Sequence, residues 1–243
     1  MDEIYIKKKI RDHWDWRAKD YDRSPGHTGM KEVWKEVLSE VFDKKMRILD
    51  VGTGTGFLAL ILAELGHDVI GIDLSREMIN IAKKKVDGLK IKFVIGDAEN
   101  LPFNDESFDA VICRHVVWTL PNPQKAVKEW YRVLKDGGKI VMIDGEWYQN
   151  SMLAKFKRFI GRLFIALFEK RLISSYKREI SKYLPLYRQG NLEKVVNLLK
   201  NAGFSDVLIK DISWIRKQML ENLPFYYKLT WSSRRYFMVE CFK

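Results

Sequence analysis

The sequence predicts an α/β protein built on a doubly wound parallel sheet. Apolar runs of strand length alternate with amphipathic stretches of helical length from Met46 to Ile143, and the turn after the first strand is rich in glycine. A basic helical stretch at 151–183 interrupts this alternation and is expected to be an insertion over the sheet edge.

The elements follow in order. Residues 1–30 predict one or two short helices carrying Trp14, Trp16 and Tyr21, then a turn-rich loop from Ser24 to Gly29. Lys31–Phe42 places Val33, Trp34, Val37, Leu38 and Val41 at helical spacing. Met46–Val51 is a buried strand, followed by the glycine turn and a helix to about Gly66. Asp68–Ile72 is a second strand and Ser75–Val86 a helix capped by Ser75. Strands at Lys90–Ile95, Phe108–Cys113 and Lys139–Ile143 follow, with a helix at Pro123–Leu134 between the last two. Right-handed βαβ crossovers then bury the sheet on both faces. A helix at Leu192–Asn201 and strands at Asp206–Asp211 and Arg235–Phe242 complete the chain. The whole is expected to be one domain: N-terminal helices over 1–45, the ligand-binding core over 46–150, the insertion over 151–190, and the last helix and strands over 191–243.

Composition narrows the function classes. The 243 residues are 47% hydrophobic and 31% charged, which is globular rather than disordered. No long uncharged apolar run and no leader-like N-terminus are present, so a membrane span and a secretory signal are not expected. Cys113 and Cys241 lie in strand-like runs and are expected to be buried thiols rather than a disulfide or a metal site, which suits a cytoplasmic protein. The net charge of +11 is concentrated: between Asn150 and Gly190 ten basic residues face only Glu169 and Glu179.

The candidate site begins at Asp50-Val51-Gly52-Thr53-Gly54-Thr55-Gly56. Glycines between a strand and a helix let the backbone turn sharply and approach a ligand, beside the free N–H groups of the helix start. A structural turn is the plain alternative. Asp73, at the end of the second strand, is placed to accept ribose hydroxyls, and Asp97 at the end of the third strand adds a second acid at the carboxyl edge. Leu74 and Met78 supply apolar surface for a flat base. A dinucleotide fingerprint starting at Gly52 needs glycine or alanine where Phe57 stands, and Asp50 suits a cationic amine better than a pyrophosphate. A nicotinamide dehydrogenase is therefore the weaker reading.

Taken together, Asp50–Gly56, Gly71-Ile72-Asp73, the run from Gly96-Asp97-Ala98 to Phe103, Phe108–Val111 and Arg132–Gly138 resemble the successive motifs of class I S-adenosylmethionine (SAM)-dependent methyltransferases. The similarity is greatest to the subgroup that contains the ubiquinone/menaquinone-biosynthesis methyltransferases. The resemblance implies a Rossmann-like seven-stranded, mostly parallel sheet with an antiparallel last strand, SAM as cofactor, and methyl transfer to a small-molecule acceptor. It also implies that Gly52, Gly54 and Gly56 pack against the methionine part, with Asp50 and Thr53 in the same turn. Asp73 would hold the ribose, and Asp97 with Ala98 would contact the adenine. Asp136 stands where the family has proline. Trp14–Asp22 resembles the subgroup's leading helix, in which the tyrosine, here Tyr21, lies over the cofactor.

Arg114 and His115 follow the fourth strand and can face the site; His115 is a candidate general base, with a purely structural hydrogen bond as its alternative. Glu146, Trp147 and Tyr148 are expected to line the acceptor pocket. In the insertion, Met152, Phe156, Phe159, Ile160, Leu163 and Leu167 form a stripe apart from Lys155, Arg158 and Arg162. Three readings stand: a lid turned inward over the acceptor, a peripheral membrane contact through 151–184 serving a lipid or quinone acceptor, and, least supported, an RNA surface. A SAM-binding regulator is the non-enzyme alternative. Oligomeric state leaves no mark on the sequence.

Overall fold

A computed structural model describes residues 2–146, 151–171, 176–188, 191–230 and 235–243. At its centre is a seven-stranded sheet in the order β3-β2-β1-β4-β5-β7-β6. The strands are β1 (Arg47–Val51), β2 (Asp68–Asp73), β3 (Ile91–Ile95), β4 (Phe108–Arg114), β5 (Leu134–Gly145), β6 (Ser205–Asp211) and β7 (Tyr236–Phe242). Strands β1 to β5 pair in parallel, while β7 runs antiparallel to both β5 and β6. The expected doubly wound sheet with its reversed last strand is therefore present.

The helices are α1 (Glu3–Tyr21), α2 (Pro25–Thr28), α3 (Lys31–Val41), α4 (Phe57–Glu64), α5 (Arg76–Lys83), α6 (Pro123–Val133), α7 (Met152–Glu169), α8 (Arg178–Ser181), α9 (Leu192–Ala202), α10 (Ser213–Glu221) and α11 (Phe225–Thr230). Local chemistry sets several of their starts. Ser75 accepts from the Met78 N–H at α5, Asn122 from Lys125 at α6 and Asn191 from Lys194 at α9.

Central strands bury both faces, which is why they read as continuous apolar runs. On one side Leu49, Val51, Val111 and Met142 pack with Trp130 of α6 and Leu199 of α9. On the other, Ile48, Ala110, Ile112 and Val141 pack with Trp34 and Leu38 of α3 and Leu62 of α4. A third cluster joins Ile6 and Ile10 of α1 to Tyr176, Ile180, Leu184 and Tyr187.

Four differences from the sequence reading stand out. The N-terminus forms one 19-residue helix rather than one or two short ones, and the loop after it contains the single turn α2. Strand β5 starts five residues earlier than expected. Helices α10 and α11, between β6 and β7, were not anticipated. The apolar stripe of the insertion faces outward: Met152, Phe156, Phe159, Leu163 and Leu167 are each roughly half exposed or more, while Ala154, Gly161 and Ile165 are the buried residues of α7. Gly161 explains the orientation, because its missing Cβ lets the helix sit within contact of Thr230 and Tyr226 of α11. Among the described residues, no helix is long and apolar enough to cross a membrane.

Candidate functional site

The order in which the chain adds strands reverses between the parallel neighbours β1 and β4, and the carboxyl ends of such a pair frame a crevice. The turn after β1 forms its floor. Gly52 has φ +65°, and a Cβ there would come within 2.2 Å of the Val116 side chain, so only glycine fits. Gly54, at φ +57°, lies under the ring of Tyr21. The turn is fastened from behind: Thr53 donates its N–H to the Ile72 carbonyl at 3.0 Å and its hydroxyl to Asp50 at 2.6 Å.

Asp73 closes β2 with both carboxylate oxygens in use. One accepts the Gly54 N–H at 2.9 Å and the other the Ser75 N–H at 2.8 Å. Burial pushes its pKa up to about 6, against the pull of those N–H donors. Asp50 is pushed up to about 7, again by burial, with the Thr53 hydroxyl opposing. At the end of β3, Asp97 accepts the Glu99 N–H at 2.9 Å and pairs with Lys7 of α1 at 2.7 Å. The Trp130 indole N–H donates to the Ala98 carbonyl at 2.9 Å, holding that loop against α6.

Beyond β4 the backbone is unusual. His115 adopts φ +62°, a left-handed conformation disfavoured for a side chain-bearing residue, and its N–H donates to the Ile143 carbonyl at 3.0 Å. Each ring nitrogen has a polar neighbour. Nδ1 lies 3.6 Å from the Asp144 carboxylate and Nε2 lies 3.3 Å from the Tyr236 hydroxyl. Burial lowers the pKa of His115, opposed by Asp144, so the ring is neutral at neutral pH. Arg114 stacks on Phe57 and Trp34 and donates to the His27 carbonyl. Its guanidinium thereby ties the crevice to the segment after α1.

Helix α1 closes the crevice from above. Tyr21 stacks on His27 with ring centroids 3.9 Å apart and also meets Trp14 edge-on. Trp14 in turn packs edge-on against Trp118 and Tyr176. Three polar attachments fix the helix. Lys7 pairs with Asp97 and Glu99, Asp15 accepts from the Ser75 hydroxyl at 2.6 Å, and Asp22 pairs with Lys85 and accepts from Thr55.

These parts line a crevice with about 720 Å³ of empty space, a figure that includes the open solvent at its mouth. Of the residues singled out from sequence, its wall contains Tyr21, Gly52, Gly54, Asp73, Leu74 and Met78. Asp97, Ala98, Arg114 and His115 complete that set. Asp50, Thr53 and Gly56 are not in the wall. They lie behind the turn, where the Asp50–Thr53 bond braces it and Gly56, at φ +84°, packs against Phe93. Glu146 also lies outside the wall and bonds its N–H to the Arg235 carbonyl. Trp147 and Tyr148 fall outside the described residues. Lys7, Ile10 and Thr119 are wall residues too, and no motif or spacing marks them. Lys7 reaches the site only because α1 folds back over a loop 90 residues away.

Comparisons with known proteins agree with this arrangement. Residues 49–142 match the family described as a methyltransferase domain. The ubiquinone/menaquinone biosynthesis C-methyltransferase of Rickettsia prowazekii is 32% identical over 200 residues, covering 76% of this chain and 79% of that protein. The demethylmenaquinone methyltransferase of Chlorobaculum tepidum is 33% identical over 214 residues, covering 82% and 85%. Among solved structures, a SAM-dependent methyltransferase from Thermotoga maritima superposes with TM-score 0.61 at 21% identity, over 96% of this chain and 99% of that one. Phosphoethanolamine N-methyltransferase 2 of Haemonchus contortus gives TM-score 0.67 at 20% identity; this chain spans 60% of that longer protein. At such identities the two structures speak to the fold.

Proposed function

This chain belongs to the ubiquinone/menaquinone biosynthesis C-methyltransferase-related family of SAM-dependent methyltransferases, and we propose that it methylates a ring carbon of a small quinone-type acceptor in its reduced form. It uses SAM, whose sulfonium supplies an already activated methyl group. The protein's part is to hold cofactor and acceptor in line, and alignment of this kind accounts for much of the rate in a displacement.

The residues present suit SAM. Gly52 and Gly54 put bare backbone into the cavity wall, and Asp73 offers lone pairs to ribose hydroxyls. Leu74 and Met78 give apolar cover for the adenine, with Asp97 and Ala98 at its edge. Asp50 and Thr53 act through the turn they brace, and Gly56 through the start of α4. Tyr21 serves as the lid over Gly54, and Arg114 as the strut that holds the lid down.

One observation carries the acceptor class: the chain aligns over most of its length with two quinone-pathway methyltransferases. The rings of Trp14 and Tyr21, in the same wall as His115, suit a planar acceptor. A ring carbon attacks well only when a neighbouring hydroxyl has given up its proton, and the carbon then loses its own. His115 is our candidate base. It is neutral, Asp144 would stabilise its protonated form, and a proton reaches Nε2 through the Tyr236 hydroxyl or by displacing it.

The test is transfer from labelled SAM to a reduced naphthoquinone, with phosphoethanolamine as the competing acceptor. Label should appear as a ring-carbon methyl on the quinol; label on the amine with none on the quinol would sink the acceptor class. In the same assay His115→Ala should lower kcat by roughly 10²–10⁴ with SAM affinity intact. A loss below tenfold would leave His115 a structural residue.

A further inference from the structure

The outward face of α7 has no counterpart in the site. Winding at about 3.6 residues per turn puts the buried Ala154, Gly161 and Ile165 on one side, with Gly161 against α11, and turns the opposite side to solvent. Met152, Phe156, Phe159, Leu163 and Leu167 stand there between 47% and 80% exposed, with Leu153 at the margin. Phe225 of α11, 58% exposed and edge-on to Phe164, extends the patch sideways. Soluble surfaces rarely leave so many large apolar groups contiguous without an occupant.

Charge identifies the occupant. Lys155 and Arg162 flank the stripe on one side and Lys157 on the other. The helix carries a single acid, Glu169, at its end, and that carboxylate is taken up by Arg171, Tyr226 and Tyr227. A second copy of this chain docked by two-fold symmetry would bring these cationic flanks face to face. A protein partner's interface would bury lysines that interface cores generally exclude. A bilayer with anionic headgroups accepts the apolar ridge and the cations together, and needs no concave fit.

We propose that α7 is a docking helix for an anionic lipid surface, lying in the bilayer interface with Phe156, Phe159, Leu163 and Leu167 among the acyl chains and Lys155, Lys157 and Arg162 at the headgroups. The assignment holds whichever acceptor is methylated.

Flotation of the full chain tests it, with vesicles of phosphatidylcholine plus phosphatidylglycerol and vesicles of phosphatidylcholine alone. Binding should require phosphatidylglycerol and weaken as salt screens the charges. Replacing Lys155, Lys157 and Arg162 by Gln should weaken it roughly a hundredfold, at about fivefold per charge. Phe156→Ser with Phe159→Ser should reduce it further at constant charge. SAM affinity, unchanged in every variant, verifies folding. The proposal fails if the chain does not float, if it floats equally on both vesicles, or if sedimentation shows a dimer that Phe156→Ser dissolves.

Discussion

Helices α1 and α7 are both peripheral and rich in lysine and arginine, yet they attach to the rest of the fold in opposite ways. Helix α1 is held by charged groups. Burial works against the Lys7 ammonium, but the carboxylates of Asp97, Glu3 and Glu99 outweigh it and hold its pKa above the ordinary lysine value. Helix α7 is held where the missing side chain of Gly161 admits α11, with Ala154 and Ile165 buried on the same side, and turns Met152, Phe156, Phe159, Leu163 and Leu167 away. An apolar stripe on a helix therefore states only that something apolar lies opposite it. Which side meets the protein is decided by where small residues permit close approach and where long-range polar pairs form.

Severing α1 gives the largest expected effect. Lys7→Met leaves the Glu99 carboxylate, whose side chain is fully buried, without its cation. Removing one partner of a buried pair should cost about 3 kcal/mol, measured by urea denaturation. Adding Glu99→Gln should recover most of that loss, since the Asn122 N–H still has an oxygen to meet. If Lys7→Met alone costs nothing, the polar fastening of α1 is an ornament of the surface and the contrast with α7 collapses.

The second experiment compares the two faces of α7. A Cβ at Gly161 would stand 2.7 Å from both the Thr230 methyl and the Tyr226 carbonyl oxygen, so Gly161→Ala should destabilise by about 1–3 kcal/mol through overpacking. Phe156→Ser, on the exposed side, should stay within about 0.5 kcal/mol. Thermal denaturation of the two variants reads the difference directly. Reversal of that order would mean that the stripe packs inward after all.

These contrasts also show what was legible in the sequence. The strands from Arg47 to Gly145 were readable because a sheet buried on both faces demands unbroken apolar runs. The turn at Gly52 and Gly54, with Asp73 and Asp97 at the following strand ends, was readable because its spacing is set by local backbone geometry. Lys7 was not, since nothing in α1 encodes a partner 90 residues distant. Asp50, Thr53 and Gly56 share a motif with cavity residues, and only the structure separates brace from wall. Helices α10 and α11 escaped because each buries a single residue, Ile215 and Tyr227, which leaves almost no periodicity to detect. The direction of the α7 stripe escaped for a different reason: a glycine inside a helix reads as a weak point, whereas Gly161 is the contact.

A change of pH should act on the site beneath α1 and spare α7. Burial raises the Asp73 carboxyl to about 6, so the group gains a proton as pH falls below that value. Ribose hydroxyls need the carboxylate as acceptor. SAM affinity should therefore be nearly full at pH 7, halved near pH 6 and about tenfold lower at pH 5, where roughly one Asp73 in ten remains ionised. Asp50, raised to about 7, braces the same turn, and Asp73→Asn separates the two groups. That variant should bind SAM more weakly at pH 8 and lose the step near pH 6; a step that survives it belongs to Asp50. Unfolding does not mimic this result through Asp73, because a carboxyl whose folded pKa is raised favours the folded chain as pH falls. The outward stripe of α7 and its flanks carry no carboxyl or imidazole group, so flotation on phosphatidylglycerol vesicles should be the same at pH 5 and pH 7. Calorimetry and flotation across that interval give the sharpest form of the comparison. Parallel loss of both activities would show that one titrating element governs α1 and α7 together.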